Sequence, residues 1–125
     1  MLKTFNPTST IAVKNMRVAK DFYEKKLGLT PTGTGNDDVQ LYQVGNGMIE
    51  LYKSDFAGSN KATVLTWEVG DKIDNEVNEL KSKGISFEHY QIPDTKLQGD
   101  IHVMRNMKAA WFKDPDGNIL CLHDH

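Results

Sequence analysis

Few residues in this chain can ligate a metal, titrate near neutrality or attack a substrate. There are four histidines and one cysteine among 125 residues. Cys121, His123 and His125 alternate, so on one strand they would share a face. Thiolate sulfur and imidazole nitrogen at that spacing can hold zinc. A buried cysteine acting as a small apolar side chain, followed by a solvated tail, explains the same residues and is the reading adopted. His89 and His102 stand alone in loop or strand-edge settings; either could reach the cleft, but the surface is the expected place for each. Glu50 is different, because it interrupts an apolar, β-leaning run, Met48-Ile49-Glu50-Leu51-Tyr52. Alternation puts Met48, Glu50 and Tyr52 on one side. A carboxylate facing a partly apolar cleft must be paired, wetted or raised in pKa, and a raised carboxylate is a candidate general base. Glu50 is the one residue to which a catalytic role is assigned, and only as a candidate. Gly33-Thr34-Gly35 lacks a third glycine and a following helix, so it reads as a loop and not as a dinucleotide fingerprint.

The elements that would position these residues repeat. Ser9 to Val13 is a short strand candidate. A helix is predicted from about Arg17 to Leu27, with Met16, Ala19, Phe22, Tyr23 and Leu27 forming one apolar stripe. Asn15 suits its N-cap, and Gly28 suits a left-handed residue just past its end. Val39–Val44 and Met48–Tyr52 read as strands. Thr63–Val69 is the next strand candidate, followed by a helix from about Lys72 to Lys83 that Asp71 can cap and Gly84 can end. Phe87–Ile92, Ala109–Lys113 and Ile119–His123 complete the strands. The stretches 30–38, 54–61 and 92–100 read as loops. Val13 and Val69, Gly28 and Gly84, and Leu29 and Ile85 are each 56 residues apart. Each half is thus a strand, a helix and a three-strand meander. A ferredoxin-like sandwich would need a shorter chain and one strand fewer per half. The fold class is α+β, with two β-α-β-β-β modules, 5–58 and 61–125, forming a curved mixed sheet around a cleft within one domain, 1–125.

Composition narrows the function without naming it. A 38% apolar and 26% charged chain is globular, neither disordered nor membrane-spanning. Fifteen basic against seventeen acidic residues leave a net charge of −2, so nothing supplies the basic excess of a nucleic-acid binder. One cysteine allows no internal disulfide and fits a reducing cytoplasm. No targeting segment is visible.

Two stretches carry a resemblance. Residues 11–29, with Phe22-Tyr23 ahead of Leu27-Gly28-Leu29, and residues 110–122, with the turn Asp114-Pro115-Asp116-Gly117-Asn118, resemble the vicinal oxygen chelate superfamily. That superfamily includes glyoxalase I, bleomycin-resistance proteins, fosfomycin-resistance transferases and extradiol dioxygenases. The resemblance covers nearly the whole chain, because the paired β-α-β-β-β layout is the superfamily's own. The same marks have structural uses: Phe22 and Tyr23 for packing, Gly28 for positive φ, and the Asp-Pro-Asp-Gly stretch for a turn.

The resemblance implies a divalent metal held by a first-strand His or Glu and a fourth-strand carboxylate from each half. Carried over, those positions fall on Thr8, Glu50, Val64 and Cys121. Glu50 alone fits, so no metal or other cofactor is expected, with a divalent metal as the alternative. A non-standard set drawn from Cys121, His123 and His102 is left open. The implied cleft is lined by Met48, Glu50 and Tyr52; by Thr66 and Glu68 beside Val64; by Ile119 beside Cys121; and by Trp111 with Ala109. Such a surface fits an organic ligand with an apolar body and a few donors or a cationic group. The expected function is therefore metal-free binding of a small organic molecule by a cytoplasmic homodimer that engages neither nucleic acid nor membrane. The alternative is a metal-dependent or Glu50-based lyase, isomerase or dioxygenase.

Overall fold

A computed structural model describes residues 1–125, which divide into two compact units, Met1–Asn60 and Lys61–His125. In the first unit, β1 (Ser9–Val13) leads into helix α1 (Met16–Lys20), and three strands follow: β2 (Pro31–Thr32), β3 (Val39–Val44) and β4 (Gly47–Lys53). They form a four-stranded sheet in the order β1-β4-β3-β2. β1 runs parallel to β4, and the other pairs are antiparallel. Ile11, Val13, Ile49 and Leu51 are buried on one face together with Met16, Ala19, Phe22 and Tyr23 of the helix. Met48, Glu50 and Tyr52 alternate with them on the face away from the helix, as the pattern of the run requires.

Asn15 caps α1 as expected, its Oδ1 accepting the Val18 N–H at 3.1 Å. The predicted single α-helix is corrected beyond Lys20, because Asp21–Lys26 is π-helical. Leu27 N–H reaches back five residues to Phe22 O, and Leu29 N–H six residues to Tyr23 O. An ordinary helix end closed by a positive-φ glycine spans five residues at that second bond. The second unit follows that rule, with Ile85 N–H bonding Leu80 O beside Gly84 at φ 87°. The 56-residue repeat is therefore kept in length but not in path. The wider turn carries Glu24, whose Oε2 accepts the buried Tyr42 hydroxyl at 2.7 Å.

The second unit holds β5 (Thr63–Glu68), helix α2 (Ile73–Ser82), β6 (Phe87–Glu88), β7 (Lys96–Gln98), β8 (Ile101–Val103), β9 (Lys108–Lys113) and β10 (Ile119–His123). The order is β5-β10-β9-β8-β7, and β6 also pairs with β9. β10 is parallel to β5, as β4 is to β1. Two short strands share one edge of β9: β6 at residues 111–112 and β8 at 108–109. Ile73, Val77 and Leu80 of α2 are buried, as are Ala110, Phe112, Leu120 and Leu122 of the sheet.

Three expectations for this unit need correcting. Asp71 does not cap α2; it lies in a one-turn 3-10 helix, Gly70–Lys72, and no side chain bonds the start of α2. The strand predicted over Phe87–Ile92 stops at Glu88. The stretch read as a loop, 92–100, contains β7 and the turn into β8. All three β7 residues are exposed, so no apolar alternation marks it in the sequence.

The turn between β9 and β10 is built as its sequence suggests. Asp114 Oδ1 accepts the N–H groups of Asp116 and Asn118 at 2.9 Å each, and Oδ2 accepts Asn118 Nδ2–H at 2.8 Å. Both side chains are buried, and Gly117 supplies a φ of 90°. Replacing Asp114 with Ala strands these donors, so urea unfolding should show a loss of about 2–4 kcal/mol. A loss below about 1 kcal/mol would mean that the backbone alone sets the turn.

Candidate functional site

Strand register sorts the candidate residues into rows. On the first sheet Glu50 stands opposite Thr10 of β1 and Leu41 of β3. Thr8, the expected first-strand position, precedes the strand and accepts a hydrogen bond from Thr10 Oγ1 through its carbonyl. Glu50 is half-buried, and Tyr52 is exposed.

On the second sheet, Cys121 stands opposite Trp111 of β9 and Thr66 of β5. Since Thr66 lies 56 residues after Thr10, the pairs Thr10–Glu50 and Thr66–Cys121 occupy matching places in the two units. A second row runs His102, Ala109, His123 and Glu68. Glu88 completes the Trp111 row and bonds Lys113 at 3.2 Å.

The expected grouping of Val64 with Thr66 and Glu68 is corrected. Ile119 pairs with Thr63 and Leu120 with Leu65, so the register skips Val64. An extra residue shifts the alternation. Thr63 is the residue at the site, its hydroxyl accepting Trp111 Nε1–H at 3.2 Å.

His102 is the residue that sequence reasoning misplaced most. It was expected at the surface and is 1% exposed. Its ring meets Trp111 edge-on at 4.9 Å between centroids and lies 6.1 Å from Tyr90, which itself packs on Trp111 at 5.5 Å. Tyr90 N–H donates to His102 Nε2 at 2.9 Å. A histidine between two strand-forming neighbours, Ile101 and Val103, was the one available signal of burial. His89 lies beside this group, with Nε2 at 2.7 Å from Asp100. Lys81 Nζ binds the other oxygen of Asp100 at 2.6 Å, and these two contacts hold the Asp100 carboxyl below its usual range.

A cavity of about 650 Å3 opens here, lined by His89, Tyr90, Gln91, Ile92, Pro93, Thr95, Leu97 and His102. That volume is typical of small-molecule sites. The first unit has a groove of about 460 Å3 between α1 and residues 35–37. Its lining mixes Arg17, Lys20 and Lys25 with Asp21, Glu24 and Asp37 and contains no aromatic side chain.

The donor set does not fit the metal that the resemblance implies. Each matched pair offers a hydroxyl beside either a carboxylate or a thiol. No three His, Cys, Asp or Glu side chains gather where they could hold an ion. His123 and His125 do not converge with Cys121; His125 lies past β10, and its N–H donates to His123 Nδ1 at 3.2 Å.

The profile of the glyoxalase/bleomycin resistance protein/dioxygenase superfamily matches residues 4–122, and the chain belongs to that superfamily. Among solved structures, a glyoxalase family protein from Enterococcus faecalis superposes with a TM-score of 0.73 at 22% identity, covering 98% of this chain and 99% of the other. Lactoylglutathione lyase from Agrobacterium tumefaciens gives 0.70 at 16% identity, covering 96% and 92%. TnmS3, an antibiotic binding protein from Streptomyces sp. CB03234, gives 0.63 at 19% identity, covering 94% and 93%. These likenesses establish the shared fold. No curated protein sequence matches the chain.

Burial pushes the Cys121 thiol up to about 11, against smaller opposing effects of hydrogen bonds with Thr66 and Ala110. Burial and then the Glu24 contact also raise the Tyr42 hydroxyl. A folded-state pKa raised in this way means that the native protein binds the proton more tightly than the unfolded chain. The resulting stability is complete below pH 9 and is lost as pH rises from 9 towards about 11. The urea midpoint should accordingly fall across that window. Iodoacetamide at pH 8 should alkylate native Cys121 at least about 100-fold more slowly than a free thiol. Alkylation at the free-thiol rate would show that the sulfur is open and ionised.

Proposed function

We propose that this chain binds a small organic molecule, without a resident metal and without turning it over. The observation that carries the reading is the aromatic group formed by Tyr90, His102 and Trp111 beside a cavity of ligand size. Rigid rings give a large contact area at little entropic cost, and they dominate binding energy where they are packed. Tyr90 and His102 line that cavity and Trp111 packs against both, with Thr66, Glu68, Ile119 and Cys121 along the Trp111 face of the second sheet. Met48, Glu50 and Tyr52 form a smaller mixed surface on the first sheet. Support for the metal-free reading comes from Cys121, whose buried thiol resists becoming the thiolate a metal needs. TnmS3, named as an antibiotic binding protein, lends the fold a precedent for binding without stated catalysis.

The same reading has the chain working as a homodimer in the cytoplasm. Leu2, Phe5 and Phe56 leave apolar surface exposed for a second copy, and one buried cysteine suits a reducing compartment. No helix is long and apolar enough to cross a membrane.

A thermal-shift screen of aromatic compounds on untagged protein tests the reading. At least one compound should raise the melting temperature, and Trp111→Ala should weaken its binding about 10-fold or more. Metal analysis of protein purified without chelator should find no stoichiometric transition metal, and methylglyoxal with glutathione should give no turnover. A stoichiometric metal that Glu50→Gln removes would sink the proposal in favour of a metalloenzyme.

A further inference from the structure

The His102 ring carries a hydrogen-bond donor that nothing in the protein accepts. A backbone N–H can only donate, so the Tyr90 bond makes Nε2 the acceptor nitrogen and leaves the ring proton on Nδ1. Nδ1 is fully buried and has no partner. Buried polar groups in native proteins are nearly always matched, and an exception calls for a use. The ring forms part of the wall of the 650 Å3 cavity, whose lining also includes the apolar Ile92, Pro93 and Leu97.

The surrounding charges decide which ligand suits the donor. An aromatic cage could take a cation, but the two part-buried carboxylates beside it are already engaged. Asp100 is bonded to both Lys81 and His89, and Glu88 to Lys113. The nearby Asp94 carboxylate is exposed to water, whereas the Nδ1 donor is buried and has no partner.

We propose that His102 Nδ1–H is the specificity-determining group of this site and selects a flat ring bearing an acceptor oxygen, either a carboxylate or an aryl ketone. The proposal rests on the small-molecule reading above and replaces its cationic option with an acceptor. The ring lies against Tyr90 while its oxygen completes the Nδ1 bond. Because Nδ1 is buried in the unliganded chain, binding requires a wall side chain to shift, and Leu97, 44% exposed, would do so while Tyr90 stays packed on Trp111.

Three probes of similar size test this on the whole chain: benzoate, acetophenone and benzylamine. In nitrogen-15 spectra, benzoate or acetophenone should shift the His102 Nδ1–H signal downfield and bind at least 10-fold tighter than benzylamine. Whichever of the two binds more tightly tells an anionic acceptor from a neutral one. His102→Phe should abolish the preference over benzylamine. The wild-type spectra carry the test if that variant does not fold. Benzylamine binding as tightly as the oxygen probes would overturn the proposal. So would probes that move the Trp111 indole signal but leave His102 unchanged, and that result would leave the small-molecule reading standing. Binding by none of the three would count against both.

Discussion

The Asp114 carboxylate fixes the turn between β9 and β10, and the order of side chains on the second sheet's Trp111 face depends on that turn. Three hydrogen bonds from one buried side chain set the register in which Trp111 stands opposite Cys121. Side chains on a strand alternate with a period of two, so a slip of one residue would send Trp111 to the helix-covered face and bring Phe112 out. The same register places Ala109 opposite His102, because β6 and β8 divide one edge of β9 between them. A large ring at 111 and a small side chain at 109 make the space in which the imidazole is buried.

The repeat explains how one fold can carry different chemistry in its two halves. Thr10–Glu50 and Thr66–Cys121 hold equivalent places, each a first strand running parallel to the last strand of its unit. One pair presents a carboxylate. The other presents a thiol whose burial favours the protonated form. Membership of the superfamily thus settles the backbone geometry of these positions, while the side chains at them settle what they can do. On β4 the packing is carried by the inward half, Ile49 with Leu51, which leaves Glu50 half-buried, whereas on β10 Leu120, Cys121 and Leu122 are all buried.

Local signals in the sequence were dependable where they named a backbone need. Asn15 capped its helix, Gly28 and Gly84 ended theirs with positive φ, and the Asp-Pro-Asp-Gly stretch made its turn. The faces of β4, β9 and β10 followed from alternation alone. What stayed hidden had no local cause. The π-helical stretch carries Glu24 to Tyr42, 18 residues away, a contact that no local pattern marks. β7 is a strand because β8 pairs with it, not because its exposed Lys-Leu-Gln run favours one. The skipped Val64 is a matter of register with β10, more than 50 residues on. His102 is buried by tertiary neighbours, Tyr90 and Trp111, so its type and flanks gave only a faint hint. Of the three rings that pack together, Trp111 was singled out from the sequence, His102 only as a residue that could reach the cleft, and Tyr90 not at all.

The two tryptophans of the chain offer the most direct measurement. Trp111 stands on the open face, whereas Trp67 pairs with Leu122 on the face that α2 covers. Titrating the nitrogen-15-labelled protein with a compound found to stabilise it should therefore move the indole N–H signal of Trp111 and leave that of Trp67 in place. A ligand that shifts Trp67, or stabilises the protein without touching Trp111, would contradict the account.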